Sequence, residues 1–138
     1  MAWTFPRRFL RASNFGARKL ARVDLEAAGL RHSMLDSSDL EYTELRSANF
    51  RSGSLRLSNL LQTDLEDADL VGANLQGANL TNANFKNADL RNADLKGIQW
   101  QATKAIDSAN VHGIRNAPRG FVNWALQHGA VAVRCDDE

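Results

Sequence analysis

Every fifth residue from Leu10 to Trp100 is a large apolar side chain, nineteen positions without a gap. Fifteen are leucine, and Phe15, Phe50, Phe85 and Trp100 fill the rest. Only Leu57, Leu61 and Leu126 fall outside this phase. A spacing of five fits neither the 3.6-residue period of a helix nor the two-residue period of a strand. It describes a chain that coils and returns one side chain to a common interior every five residues. Such repetition dictates architecture before any local propensity does.

The other four positions of the unit show what the coil requires. Two residues before each large side chain sits a small one, such as Ala28, Ser33, Thr63, Ala73 or Ala93. Alternation sends both of these inward and the residue between them outward. That intervening residue is mostly Asn or Asp, which accept tight-turn dihedrals and can bond their own backbone, as the corners of a narrow coil demand. Runs such as Ala73-Asn74-Leu75-Gln76-Gly77 and Asn87-Ala88-Asp89-Leu90-Arg91 resemble the pentapeptide-repeat family, whose unit is A(D/N)LXX. The resemblance spans Leu10 to Trp100 and implies an all-β fold, a right-handed quadrilateral β-helix of about five coils with twenty residues per coil. At ~4.8 Å per coil, that solenoid is roughly 23 Å long.

Three segments follow: an N-terminal cap over 1–9, the repeat solenoid over 10–111, and a C-terminal cap over 112–138. Trp3, Phe5 and Phe9 are available to cover the first coil. Arg8 and Arg18 occupy slots that are small elsewhere, so the first coil is expected to open toward solvent there. At the other end the phase slips: the next inward residues after Trp100 are Ile106 and Val111, a one-residue insertion that reads as a bulge. Pro118 and Gly129 bracket a short helix over Phe121 to His128, with Phe121, Trp124, Ala125 and His128 on one stripe. Ala130 to Val133 reads as a brief extended segment, followed by the acidic tail Asp136-Asp137-Glu138. Two readings of this end stay open. Its apolar side chains fold onto Trp100 and Ile106 as a cap, or the surplus formed by Phe121, Trp124, Leu126, Val131 and Val133 joins two chains into a homodimer, as the resemblance implies for relatives.

Stacking four units per coil places residues twenty apart above one another. Arg11, Arg31, Arg51 and Arg91 then form a column interrupted only by Val71. A second wall carries Asp24, Glu26, Glu44, Asp64, Glu66 and Asp67 against Arg46 and Lys86. The net charge is +1, yet it is unevenly spread: residues 1–35 hold seven cations and two carboxylates, residues 36–70 three cations and eight carboxylates. These two columns are the candidate partner-binding residues. Tyr42, Leu57 and Leu61 point outward, and Tyr42 and Leu61 share one wall.

Catalysis finds no support. His32, His112 and His128 are dispersed without metal-ligand spacing, and a filled solenoid offers no concave pocket. No catalytic residue, cofactor or metal is expected. The lone Cys135 excludes an internal disulfide and fits a reducing compartment. Without a long apolar run, the first ten residues are read as neither signal nor membrane span, so the expected setting is cytoplasmic with no membrane partner. The expected function is a non-catalytic scaffold presenting charged walls to a protein partner. The alternative is a DNA-mimic that binds a type II topoisomerase, as the resemblance implies for quinolone-resistance relatives. Duplex DNA carries one charge per ~1.7 Å, so a mimic of this length needs about thirteen negative charges, which a chain of net +1 does not supply. Direct nucleic-acid binding is not expected for the same near-neutral balance.

Overall fold

The computed structural model describes residues 11–134. The expected N-terminal cover of Trp3, Phe5 and Phe9, the Arg8 slot, Leu10, Cys135 and the acidic tail lie outside the described residues. Within them the backbone winds into a β-helix solenoid. Parallel bridges link each residue to the one twenty further on, from Asn14–Met34 to Asn79–Gln99. Each side of the coil holds a single bridged residue between two turns, so no side extends into a longer strand. A five-residue side with a two-residue corner leaves room for nothing longer.

The backbone hydrogen bonds explain why the unit has five residues of these types. Leu70 N–H donates to Asp89 O in the next coil (2.8 Å), and Gly72 N–H to Arg91 O (2.9 Å). Ala73 N–H closes the corner on Leu70 O (3.0 Å), and Asn74 N–H reaches back to Gly53 O in the previous coil (2.9 Å). Only the residue after the leucine is left over, and Asp69 Oδ1 accepts from Val71 N–H at 3.1 Å. The same bond recurs along the solenoid, from Asn14–Gly16 through Asn79–Thr81 to Asn110–His112. Buried and half-buried N–H groups need acceptors, and the Asn/Asp position supplies the one that stacking does not. Where Ser54 replaces it, Asp36 of the coil below accepts from both Ser54 Oγ and Arg56 N–H.

Inside, every repeat side chain from Leu25 to Leu95 is at most 3% exposed, and the small slots from Ala28 to Ala93 are equally buried. Slot hydroxyls bond carbonyls: Ser38 and Ser58 donate to Leu35 O and Leu55 O (both 2.6 Å), Thr43 and Thr63 to Leu20 O and Leu40 O (2.9 and 2.8 Å). This satisfaction lets Ser and Thr stand in for alanine without a burial penalty. The residual void among Leu75, Leu80, Phe85, Leu90, Leu95, Ile106 and Phe121 is about 10 Å³, too little to admit a ligand. Arg18 is exposed, as its oversized slot implies, and Phe15 and Leu20 are only partly buried.

The corners divide the solenoid in two. Each corner closes with a positive φ on the second residue after the leucine, the pattern of a type II turn that favours glycine or asparagine. From Gly72 to Gly97 the occupants are only glycine and asparagine, whereas earlier corners force Arg22, His32, Tyr42, Leu57 and Gln62 into that region. Side chains there cost about 1 kcal/mol or more each, so the N-terminal coils are wound against backbone preference.

The expected bulge lies at Lys104–Ala105. Lys104 N–H donates to Ala83 O (3.0 Å) while Ala105 O accepts from Phe85 N–H (2.9 Å), so two residues face Asn84. Bridges beyond it are spaced twenty-one apart, as in Asn84–Ala105 and Asp89–Asn110. Helix α1 spans Phe121–Gln127. At seven residues it is too short to hold itself, and it rests on the last coil: Phe121 meets Trp100 edge-on at 5.6 Å, and Trp124 lies 5.3 Å from the same ring. Gly129 (φ 94°) ends it. Ala130 N–H donates to Ala125 O and Gly129 N–H to Leu126 O (3.0 and 3.3 Å), the paired bonds of a Schellman stop. The chain then adds one more rung, Val131 pairing with Asn110.

Gly77→Ala tests the corner argument. Its positive φ penalises any Cβ, and that Cβ would stand 2.6 Å from Leu57 Cδ2. Leu57 is exposed and can swing away, so the backbone cost dominates. A loss of about 1–2 kcal/mol is expected, read as a lower urea midpoint at unchanged m-value.

Candidate docking surfaces

The twenty-residue register places both predicted columns on the walls assigned to them. Their members, however, are not equally available. Arg51 donates through Nε and Nη2 to Asp69 Oδ2 at 3.2 and 3.1 Å. Arg91 is nearly buried, and its Nε and Nη2 grip the Asp89 carboxylate at 2.9 and 2.5 Å. These two guanidiniums are engaged in holding the wall together. Arg11 and Arg31 are exposed, so the open part of the arginine column is its N-terminal half.

On the acidic wall, Asp24, Glu44, Asp64 and Asn84 are bridged one above another. Asp24 Oδ1 and Asp64 Oδ1 accept from the N–H groups of Glu26 and Glu66 (both 3.0 Å), so each has a second oxygen beyond the turn bond. Asn84 Nδ2 donates to Asp64 Oδ1 at 3.2 Å, and Arg46 stands 3.7 Å from Glu66. That ion pair is half-exposed and contributes little to stability. Glu26, Glu44 and Asp67 are exposed.

The C-terminal candidates separate as well. Phe121 is 1% exposed, a correction to its assignment as a dimer contact: it is buried against Trp100 and cannot touch a second chain. Trp124 is half-buried between Trp100 and His128, whose ring stacks on it at 4.7 Å. Leu126, Val131 and Val133 are exposed, joined by Val122. Tyr42 and Leu57 are exposed too, and Arg22 lies over the Tyr42 ring at 4.4 Å.

Sequence reasoning misses Asp94. It is buried, and burial by itself would raise its carboxyl. The amides of Asn116 and Gln76 (3.2 and 2.8 Å), the Lys96 N–H and the charge of Arg115 outweigh that and hold it below the ordinary carboxylate range. The cluster ties two neighbouring coils to the segment that leads into α1. Its signal in the sequence, Asp94 with Gln76 eighteen residues back, is visible only once the register is known.

An open depression beside the bulge is lined by Gln101, Thr103, Lys104, Asp107, Trp124 and His128. It pairs no nucleophile with a base. Among the described residues, no group of three or more His, Cys, Asp or Glu side chains is placed to hold a metal, and no helix is long and apolar enough to cross a membrane.

Among the described residues, a filled solenoid whose charged side chains face outward defines a class of repeat protein. Residues 58–97 match the family model for pentapeptide repeats, in eight copies. Over these residues the chain carries pentapeptide repeats. Among solved structures it is similar to a pentapeptide repeat protein from the Arabidopsis thaliana thylakoid lumen, with 22% identity over 95% of this chain and 83% of that one and a TM-score of 0.51. It also matches the pentapeptide repeat protein Rfr23 of the cyanobacterium Cyanothece 51142 (26% identity, 93% and 90% covered, TM-score 0.48). A third match is a trypsin-treated variant of QnrB1, a plasmid-mediated fluoroquinolone resistance protein (13% identity, 96% and 90% covered, TM-score 0.46). No curated protein matches the chain.

The Asp94 cluster makes acid sensitivity predictable. A carboxyl held below its unfolded value stabilises the fold above that value and loses the contribution as pH falls through its folded one. Asp94→Asn keeps an acceptor for Lys96 N–H but loses the charge. Its stability deficit against the native chain should be full at about pH 7 and shrink as pH drops below the ordinary carboxylate value of 3.8. Urea titrations at stepped pH measure it, and a deficit independent of pH would contradict the assignment.

Proposed function

We propose that the chain is a non-catalytic protein-interaction scaffold, a right-handed quadrilateral β-helix of about five coils closed by α1. One observation carries the reading: the repeat side chains from Leu25 to Leu95 are buried inside the coil, with a void of only about 10 Å³ beneath α1, while outward side chains stand at fixed coil spacing in columns of opposite charge. A rigid rod whose interior admits no ligand acts by touch, and complementary charge speeds and orients such contacts. Pentapeptide-repeat proteins are generally structural or interaction proteins. The partner is a protein that meets Arg11 and Arg31 on one side or the acidic column on another, and the lone cysteine favours a cytoplasmic setting. Mimicry of DNA toward a topoisomerase is the weaker reading, because Arg46 and Lys86 interrupt the carboxylates and the net charge is +1.

Reversal of the open arginines, Arg11→Glu with Arg31→Glu, is expected to abolish partner capture in a quantitative pull-down while leaving the circular dichroism unchanged. The matching variant on the acidic wall is Glu26→Lys with Glu44→Lys, both at exposed positions. Capture retained by both double variants would remove both columns from the interaction. Quinolone protection of DNA gyrase by micromolar protein would instead favour mimicry. Pairing through Val122, Leu126, Val131 and Val133 predicts that Leu126→Asp converts a dimer to a monomer in light scattering. Leu126 is the better probe than Trp124, since Trp124 also packs on Trp100.

A further inference from the structure

One wall of the solenoid carries both signs of charge in a single register. Between the corners at Ala17 and Arg22 the first described coil presents Arg18, Lys19 and Arg22, all exposed. One coil higher the same wall holds Asp39, Glu41 and Tyr42, with Lys19 and Asp39 directly bridged. Among the described residues, neither Arg18 nor Lys19 makes an ion pair. Asp39 uses Oδ1 for the Glu41 N–H at 3.1 Å, and its other oxygen extends the negative step. The wall is therefore a basic step beside an acidic step, one coil apart.

Symmetry turns that adjacency into complementarity. A two-fold axis lying in the wall, across the rod and midway between the two coils, keeps each position along the side opposite itself and reverses the direction of the rod. Lys19 of each copy then faces Asp39 of the other, while Arg22 stays over its own Tyr42. Arg18 and Glu41 add their charges to the facing steps, and every contact is made twice. Parallel alignment would set like charge against like. The net charge of +1 leaves no overall repulsion to oppose the approach.

We propose that this wall is a self-complementary docking surface for a second, antiparallel copy of the chain. It is separate from the scaffold columns and from the apolar C-terminal contact, and it holds through charge. Its occupation would cover neither Arg11 nor Arg31.

Leu126→Asp is included throughout the test, so that C-terminal pairing does not contribute. Sedimentation velocity should show a dimer in about 10 mM salt, where screening extends ~30 Å, and a monomer in ~1 M salt, where it extends ~3 Å. Two variants then decide the geometry. Arg18→Glu with Lys19→Glu makes the wall acidic on both steps. Asp39→Asn with Glu41→Lys makes it basic on both while keeping the acceptor for the N–H at position 41. Each alone should be monomeric in low salt, and an equal mixture should form a heterodimer. A native wall that stays monomeric in low salt would overturn the proposal. So would dimers indifferent to salt, or a mixture that fails to pair although both variants keep the native circular dichroism.

Discussion

A chain that turns a corner every five residues exposes one backbone N–H per side that no neighbouring coil can reach. On most sides the Asn or Asp before the apolar repeat residue accepts that hydrogen, and at Ser54 the Asp36 carboxylate accepts it instead. With this bond made, the remaining N–H groups fall into register with the corner and with the coils above and below. The leucines then have one direction left, inward. Hydrophobic packing fills the column, but side-chain oxygens make the corners possible.

The same constraint leaves the molecule poor in chemistry. Inward positions are apolar or small with their hydroxyls committed, and one outward position per side is occupied by the turn bond. Function is left to the corner residues and to whatever charge the Asn/Asp position retains. Corner residues are themselves unequal, because glycine and asparagine relax the later coils while Tyr42 and Leu57 hold strained backbone in the earlier ones. The coils that carry the open arginines and the acidic column are thus also wound at the greater conformational cost.

Much of this is legible in the sequence. The leucine phase identifies the inward set from Leu25 to Leu95, the six-residue step from Trp100 to Ile106 locates the bulge, and Gly129 marks the helix stop. What escapes are interactions between neighbouring columns. Arg51 and Asp69 are eighteen residues apart, and a count by twenties aligns columns without showing which side chains reach sideways. Arg51 therefore reads as being as open as Arg31, and Arg91 reads so too although Asp89, two residues back, grips it. Phe121 reads as available for a second chain because the distance between α1 and Trp100 is set by packing, not by spacing. Tyr42 and Leu57 read simply as outward-pointing, while their unusual property is a positive φ, which residue type alone does not announce.

The central claim is that a five-residue beat decides which leucines face in. The most direct measurement compares Leu65→Ala, in phase and fully buried, with Leu57→Ala, out of phase and 64% exposed, by urea denaturation. The account predicts a loss of about 2–5 kcal/mol for the first and less than about 0.5 kcal/mol for the second. Equal losses would show that the beat does not set the interior, and would contradict the fold from its first premise.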